Sequence, residues 1–453
     1  MRSYLLYILL FLLLCLVPSA GLLFGGAEES AENRTAAEAP VLWDEQGVNL
    51  HFLSDAGAWF EDHFAFRNEW VTGYALLAGK LFGTSSQERV IVGREGWLYY
   101  KDSLGDFQGE GLMSERQLFD VAHSLAMIQQ YAKERGIRFA FTVAPNKNSL
   151  YGGNMPYYYQ GFRPAAEEGN LARLQGYLAE EQVSYIDLYT LFQKEEEILY
   201  HATDSHWNNK GAALAADRLL SALGKEHSSY IGRAYKERTD FIGDLEVMLY
   251  PAAVGRSFLL PKEKEYDYIP EPQFTYQEEV ESNFAPKITT YSAGKGSLVM
   301  YRDSFGNALL PFLAEAYGRA YFSRALPYQL SDLAEQEADT LLIERAERFL
   351  PDMAGRAPYM EAPEVSLADC GRVVPAKPQE LTYAESGSYM QVTGKVQANQ
   401  LQTRTRIYIK VNGDTCYEAF PLAYADGQEG FSLLIPTKVL GEKPELELYF
   451  SQP

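Results

Sequence analysis

Two short segments contain the residues of this chain that could carry out nucleophilic catalysis. Asp204-Ser205-His206-Trp207 places a carboxylate two residues before an imidazole, and Asp303-Ser304-Phe305 places a hydroxyl directly after a short apolar run. A hydroxyl nucleophile needs a base that accepts its proton and an acid that orients the base. The sequence therefore predicts that Ser304 is a nucleophile, His206 its base and Asp204 the orienting acid.

Each of these three residues also has a purely structural interpretation. Ser304 could belong to a turn or a helix cap, and His206 could be a hydrogen-bonded loop histidine. Asp204 could cap the following turn, as aspartate often does. The presence of all three in one chain favours catalysis over three separate structural roles.

Four further residues are candidates for contacts with the substrate or with an oxyanion. Asn146 and Lys147 follow a predicted strand, so either side chain could lie at the same edge of the sheet as Ser304. Both residues could instead cap a turn. Arg302 lies two residues before the serine and could bind substrate or only pack. Trp207 follows the histidine and could stack on a sugar ring, seal the pocket or pack in the core.

A metal site is the main chemical alternative to the triad. His201, Asp204 and His206 offer two imidazoles and a carboxylate within six residues, and Asp187 or His63 could complete the ligand set. His201 discriminates between the two hypotheses, because a metal site requires it and a triad does not. The triad is the preferred interpretation, and neither a metal nor another cofactor is expected.

The segments that carry these residues belong to a pattern of alternating strands and helices. Strands are predicted at 137–143, 185–188, 298–301, 320–322 and 340–343, and helices at 115–135, 165–181, 209–223 and 308–317. Such alternation indicates an α/β fold, with a mostly parallel sheet flanked by helices on both faces. Ligands bind such sheets beyond the carboxyl ends of the strands, which is where both segments fall.

Four regions are expected along the chain. Residues 1–26 are predicted to form a membrane anchor or a signal peptide, and residues 27–45 a tether. Residues 46–360 are predicted to form the catalytic domain, and residues 361–453 a small domain resembling a β-sandwich. One Arg precedes the N-terminal apolar run and acidic residues follow it, so the bulk of the chain is expected outside the cytoplasm, either anchored in the cell membrane or secreted.

Composition narrows the range of partners. The 453 residues carry a formal net charge of −21, which argues against a nucleic-acid partner because phosphate binding needs clustered Lys and Arg. The 47% of hydrophobic residues is enough for a large core.

Of the three cysteines, Cys15 lies in the N-terminal apolar run. Cys370 and Cys416 could form a disulfide or remain free thiols, and both states are compatible with export.

At these residues the chain resembles the DHHW family and, more distantly, the periplasmic alginate O-acetylation proteins, which have a permuted SGNH-hydrolase-like domain. The matching segments are Asp62-His63-Phe64 with Phe66-Arg67, Gly93-Arg94-Glu95-Gly96-Trp97-Leu98-Tyr99, Pro145 with Lys147, Asp204-Ser205-His206-Trp207, Asp303-Ser304-Phe305 followed by Pro311-Phe312-Leu313, and Glu344-Arg345 with Glu347-Arg348. In that family the aspartate and the histidine precede the serine, as here. The alginate proteins have glycine two residues before the serine, whereas this chain has Arg302, and residues 361–453 lie outside the match.

The resemblance implies an exported, membrane-tethered O-acetyltransferase that acts on a cell-surface polysaccharide. Ser304 would accept the acyl group, His206 would be the base and Asp204 its orienter. A multi-pass membrane acyltransferase would supply the acetyl group, and by analogy the C-terminal region could bind glycan. The alternatives are an acetylesterase with the same triad and a non-enzymatic glycan-binding or assembly protein.

Overall fold

The computed structural model describes residues 2–24, 37–44, 47–161, 169–253, 263–269, 271–280, 282–397, 400–413, 415–441 and 444–452. Within these ranges the helices are α1 (Arg2–Phe24), α2 (Phe52–His63), α3 (Arg67–Phe82), α4 (Leu104–Gln108), α5 (Glu115–Glu134), α6 (Lys147–Tyr151), α7 (Tyr157–Gln160), α8 (Asn170–Glu180), α9 (Tyr189–Gln193), α10 (Asn209–Ala222), α11 (Asp244–Leu249), α12 (Gly306–Ala316), α13 (Asp332–Glu335), α14 (Leu350–Ala354) and α15 (Thr437–Leu440). The strands are β1 (Trp43–Asp44), β2 (Gly47–Val48), β3 (Val90–Val92), β4 (Leu98–Tyr100), β5 (Arg138–Ala144), β6 (Tyr185–Ile186), β7 (Lys236–Arg238), β8 (Glu265–Asp267), β9 (Phe274–Tyr276), β10 (Lys287–Ser292), β11 (Ser297–Tyr301), β12 (Arg319–Ser323), β13 (Thr340–Ala346), β14 (Glu364–Val365), β15 (Val373–Ala376), β16 (Gln379–Ser386), β17 (Tyr389–Lys395), β18 (Ile407–Val411), β19 (Thr415–Ala423), β20 (Glu429–Pro436) and β21 (Leu446–Ser451).

The central sheet has the strand order β6-β5-β13-β11-β12-β10-β9. The first five strands pair in parallel, and β10 and β9 continue the sheet antiparallel. Apolar residues along β5 alternate between two cores, with Phe141 in one and Ala140 in the other, because successive side chains of a strand point to opposite faces. Helices cover both faces, so the predicted α/β fold with a mostly parallel sheet is confirmed.

Local sequence signals set the ends of several elements. Ser114 and Gln117 form both hydrogen bonds of a capping box at the start of α5, as their spacing predicts. The predicted strand at 185–188 is shorter in the structure and ends at Ile186. Asp187 instead accepts a hydrogen bond from Thr190 N at 3.0 Å, so its carboxylate caps the turn that leads into α9.

A closed loop before α10 holds Asp204 and His206. Tyr200 and Trp207 pair as an isolated antiparallel bridge across the base of this loop. Asn208 then caps α10 by accepting a hydrogen bond from Gly211 N at 2.9 Å. A Cβ atom at Gly211 would lie 2.6 Å from the carbonyl oxygen of Leu199, so the loop closes this tightly only with glycine at that position.

The C-terminal strands form one antiparallel sheet in the order β15-β21-β18-β19-β20-β17-β16, with β14 added beside β19. The first half of β19 pairs with β18 and its second half with β20, and residues from both halves of the sheet share one core. Phe420 and Leu422 of β19 also join the core beneath α5, which connects this sheet to the α/β region. Cys370 and Cys416 are free thiols. The boundary at residue 361 stays a prediction.

Most of the predicted tether, residues 27–45, lies outside the described residues, which resume at Ala37. Residues 2–24 form α1. In the described part of the chain, we find no helix with the length and apolar character needed to span a membrane. The anchor therefore stays a prediction.

Candidate active site

Ser304, His206 and Asp204 meet beyond the carboxyl end of β11. His206 Nε2 lies 2.9 Å from Ser304 Oγ, and His206 Nδ1 lies 2.8 Å from Asp204 Oδ1. With the proton on Nδ1, the imidazole donates to the carboxylate and its Nε2 accepts the hydroxyl hydrogen of Ser304. This is the geometry in which a serine hydroxyl can pass its proton to a neighbouring base.

Asp204 is fixed by more than its bond to the imidazole. Its Oδ1 also accepts a hydrogen bond from His206 N at 2.8 Å, and its Oδ2 accepts one from Asp244 N at 2.8 Å. Burial alone would raise the pKa of Asp204, but these bonds and the charge of His206 bring the pKa below its ordinary value. The carboxylate is therefore ionised and held in one orientation.

The short connection from β11 to α12 places Ser304. Asp303 accepts hydrogen bonds from Phe305 N at 3.0 Å and from Ala346 N at 2.6 Å, which joins this connection to the end of β13. Ser304 comes two residues before the first residue of α12, so the positive end of that helix lies beside the hydroxyl. None of the hydrogen bonds found among the described residues uses the backbone N–H of Ser304. That N–H is available for an oxyanion.

Sequence reasoning missed Asp244, which lies in the Tyr-rich insertion between α10 and β10. Its carboxylate accepts hydrogen bonds from Ser205 N at 2.7 Å and from Ser205 Oγ at 2.6 Å, and its Oδ2 lies 3.5 Å from His206 Nδ1. Burial lowers the pKa of His206, but Asp204 and Asp244 together raise it above its ordinary value. The insertion thus contributes a second carboxylate to the base. No local pattern marks this residue.

Sequence reasoning also gave no role to Arg348. Its guanidinium carbon lies 5.3 Å from the ring centre of Phe305, and that ring packs edge-on against His206 with 4.9 Å between centres. Among the described residues the guanidinium makes neither an ion pair nor a hydrogen bond, and its buried Nε has no partner. Its positive charge opposes the protonation of His206 and so lowers the pKa of the imidazole.

Trp207 packs in the core behind the site. Its ring meets Phe305 at 89° with 5.0 Å between centres, and only 2% of the residue is exposed. The tryptophan therefore supports the residue that follows Ser304, and the aromatic packing holds both halves of the site together.

Lys147 and Asn146 are both buried and engaged with protein groups. Lys147 Nζ donates to the carbonyl oxygens of Leu98, Ala202 and Asp204 at 2.6–2.8 Å. Burial lowers the pKa of Lys147 to about 7, against the attraction of nearby carboxylates. Asn146 donates its backbone N–H to Glu347 at 2.7 Å and its side-chain N–H to Asp106 at 3.2 Å. Their predicted contacts with substrate or oxyanion stay predictions.

Arg302 supports the loop that precedes β10. Its guanidinium donates to the carbonyl oxygens of Asn283 at 3.0 Å and Ala285 at 3.1 Å, and it also bonds to Asn307 Oδ1. The residue is 2% exposed. Its predicted contact with substrate likewise stays a prediction.

The structure separates His201 from the other two residues of the metal hypothesis. His201 Nε2 lies 2.8 Å from Glu265 Oε2, and Glu265 with Glu263 raises the pKa of His201 to about 9 despite its burial. In the described residues, the possible ligand atoms that lie within 4.8 Å of one another belong to Asp204, His206 and Asp244. These are the predicted acid, the predicted base and the second carboxylate beside it.

Comparisons with known proteins find similarity over part of this chain. Residues 90–280 match the family described as the SGNH hydrolase-like domain of acetyltransferase AlgX. The probable alginate O-acetylase AlgJ of Pseudomonas syringae pv. tomato is 27% identical over 272 residues, which cover 57% of this chain and 63% of that protein. The AlgJ of Pseudomonas aeruginosa is 28% identical over 234 residues, covering 48% of this chain and 55% of that protein.

This chain thus spans about three fifths of the length of these curated relatives. Among solved structures, Bacillus cereus PatB1 has 17% identity and a TM-score of 0.44, covering 58% of this chain and 96% of that one. A DHHW family protein from Eubacterium siraeum has 16% identity and a TM-score of 0.41, covering 51% and 85%. The resemblance found in the sequence is confirmed: residues 90–280 are similar to the SGNH hydrolase-like domain of acetyltransferase AlgX.

Proposed function

We propose that this protein is an extracytoplasmic O-acetyltransferase that modifies a cell-surface polysaccharide through an acetyl-serine intermediate. The observation that carries the proposal is the chain of two short contacts from Ser304 Oγ through His206 to Asp204. The similarity of residues 90–280 to an acetyltransferase domain supports the choice of acyl transfer. The relatives named as probable alginate O-acetylases support a polysaccharide acceptor.

In the first half of the reaction, Ser304 Oγ attacks the carbonyl carbon of an acetyl donor and forms a C–O bond. The hydroxyl proton passes to His206 Nε2, and Asp204 stabilises the imidazolium that results. The Ser304 N–H, at the start of α12, donates to the oxyanion of the tetrahedral intermediate. When the bond to the leaving group breaks, His206 returns the proton to that group.

In the second half, a sugar hydroxyl replaces the leaving group. His206 Nε2 takes the hydroxyl proton as the sugar oxygen attacks the acetyl carbonyl. The bond to Ser304 Oγ then breaks, and the serine recovers a proton from His206. If water attacks instead of sugar, the same steps release acetate, which is the acetylesterase alternative.

The remaining parts of the proposal concern where the enzyme works. Residues 1–26 would hold it in the cell membrane, and a multi-pass membrane acyltransferase would supply the acetyl group. Residues 46–360 would form the catalytic domain, and residues 361–453 a separate small domain.

The test is acyl transfer by the full-length chain in detergent with an activated acetyl ester. A rapid burst of leaving group and an acetylated Ser304 peptide in the mass spectrum are expected. Ser304→Ala should abolish both, whereas Ser388→Ala, which changes an exposed serine of the C-terminal sheet, should abolish neither. Acetylated sugar after addition of an oligosaccharide acceptor identifies transfer.

Two other outcomes identify the alternatives. Release of acetate with no acetylated sugar, across a panel of neutral and acidic oligosaccharides, would indicate the esterase. Absence of both the burst and the acetylated peptide would leave the non-enzymatic glycan-binding or assembly protein.

A further inference from the structure

Outside α1, exposed apolar side chains are concentrated between residues 41 and 82. Thirteen large apolar residues between 41 and 82 are exposed, against ten in all the described residues beyond 82. Soluble proteins seldom expose apolar residues in such a concentration, and where they do the surface is usually an interaction site. Residues 41–82 therefore carry apolar surface that core formation does not use.

The helix α3 arranges part of this apolar surface as a stripe. We call Trp70, Tyr74, Leu77 and Leu81 the α3 stripe, since their spacing of four, three and four residues places them on one face of the helix. They are 39%, 63%, 55% and 66% exposed. The opposite face of α3 is buried, so the stripe is a second apolar face on a helix that already has one.

That buried face connects α3 to the active site. Ala75 packs in one cluster with Leu245 and Leu249 of α11. The helix α11 begins at Asp244, the carboxylate that lies 3.5 Å from His206. Because packed helix axes lie about 10 Å apart and side chains reach about 5 Å from their axis, the stripe is roughly 15 Å from the axis of α11.

Three observations favour a lipid surface as the occupant of the stripe. The chain between Phe24, the end of the apolar α1, and Ala37 spans at most about 45 Å when extended. Ala37 N donates a hydrogen bond to Asp62 Oδ2 at 2.8 Å, so this part of the tether lies beside the end of α2, close to the start of α3. A membrane that holds α1 therefore lies within reach of α3.

The second and third observations are chemical. Trp and Tyr are the residues enriched where proteins meet the headgroup level of a bilayer, and the stripe combines them with two leucines. The sequence of α3 contains Arg67, Lys80 and a single acidic residue, Glu69. Two basic residues and one acidic residue give this helix a net charge of +1 in a chain of net charge −21, so an anionic membrane repels it less than the chain as a whole.

We propose that the α3 stripe lies on the outer surface of the bilayer that holds α1, and so keeps the Ser304 site close to the membrane. The proposal rests on the membrane tethering in the proposed function. Docking would keep Ser304 at a fixed distance from the membrane and from an acetyl donor held there. A flexible tether alone would leave that distance variable. A second copy of the chain is the competing occupant, because the stripe also has the spacing of a coiled-coil seam.

A photocrosslinking experiment on the full-length chain separates these occupants. Tyr74→p-benzoylphenylalanine places a photoreactive group on the stripe, and Tyr383→p-benzoylphenylalanine places the same group on an exposed strand of the C-terminal sheet. Both proteins are reconstituted into vesicles of phosphatidylethanolamine and phosphatidylglycerol and irradiated. Lipid adducts are expected at position 74, at least five times as abundant as at position 383.

Equal adduct yields at the two positions, or no adduct at position 74, would overturn the proposal. Chain-to-chain crosslinks at position 74 would identify the second copy instead. Adding Leu77→Glu to the position 74 protein should lower the lipid adducts while leaving the burst with a soluble acetyl ester unchanged. The crosslink needs no catalysis, so adducts without acetylation of Ser304 would reject the proposed function and keep the docking surface.

Discussion

Asp244 Oδ2 lies 3.5 Å from His206 Nδ1, so the imidazole of the proposed base faces two carboxylates rather than one. Asp204 and Asp244 raise the pKa of His206 against the opposing effects of burial and of Arg348. A general base must be neutral to accept a proton, so activity should increase as the pH rises through the pKa of His206. The acid limb of the pH profile is therefore expected above pH 6.5.

Asp244→Asn should move this acid limb to lower pH. The substitution removes a negative charge that favours the protonated imidazole, and the expected displacement is up to about one pH unit. The measurement is kcat/KM for an activated acetyl ester between pH 5 and pH 9. A limb that stays in place, with a uniformly lower plateau, would mean that Asp244 only shapes the loop through its bonds to Ser205.

Arg348→Gln should move the same limb in the opposite direction. The guanidinium lowers the pKa of His206, so its removal raises that pKa and shifts the limb to higher pH. Arg348→Lys keeps the positive charge and should stay closer to the parent profile. General damage to the fold would not move the acid limb in opposite directions in the Asp244 and Arg348 variants. Shifts of the same sign would contradict the opposite effects of these two charges on the pKa of His206.

Prolonged dialysis against a chelator should leave acetyl-ester turnover unchanged. His201, which a metal site would require, is occupied by Glu265 at 2.8 Å. His201→Gln should instead lower the free energy of unfolding by about 3 kcal/mol, because it leaves buried carboxylates without their cation. Activity that disappears on chelation and returns with a divalent ion would reject the triad as the complete site.

Lys147→Met should lower both stability and activity. The ammonium group donates to three carbonyl oxygens, those of Leu98, Ala202 and Asp204, and a methionine of similar length removes all three hydrogen bonds. Ala202 O keeps the hydrogen bond from Leu98 N at 2.8 Å, whereas the oxygens of Leu98 and Asp204 lose the Lys147 donor. A loss of roughly 2–4 kcal/mol in unfolding free energy is expected from chemical denaturation. Lys101→Met, at an exposed lysine, is the control. Loss of activity with stability unchanged would instead favour a direct contact of Lys147 with substrate.

His123 should make stability depend on pH where the C-terminal sheet meets the α/β region. Its two ring nitrogens lie 2.8 Å from Glu181 and 3.0 Å from Glu418. Burial lowers the pKa of His123, but the two glutamates raise it overall, so its contribution is complete below pH 6.5 and declines as the pH rises through the folded-state pKa. Glu181 has a lowered pKa, and its contribution declines as the pH falls below about 4.5.

His123→Gln should therefore destabilise the protein by about 1–3 kcal/mol at pH 6 and by less at pH 9. The measurement is urea denaturation of parent and variant at both pH values. A difference that is the same at both would show that His123 stabilises the contact by packing alone.

The sequence predicted most of the fold because the signals concerned are local. Alternating and 3.6-residue apolar patterns locate the strands and helices of the central sheet, and the capping box at Ser114 locates the start of α5. It also predicted where Ser304 and His206 would lie, since parallel strands direct their following loops to one edge of the sheet. The strand end at Ile186 was missed. The apolar pattern continues to Leu188, but the carboxylate of Asp187 caps the next turn and ends the strand two residues earlier.

The sequence by itself determined the type of sheet, and it predicted the kind of chemistry, namely which hydroxyl, imidazole and carboxylate could work together. Tertiary structure decided the electrostatic setting of that chemistry. Asp244 comes from an insertion without regular pattern, and Arg348 follows β13 by two residues, so both are remote from His206 in the sequence. Both nevertheless act on the pKa of His206. Charges act through distance in space, and only the folded chain fixes those distances.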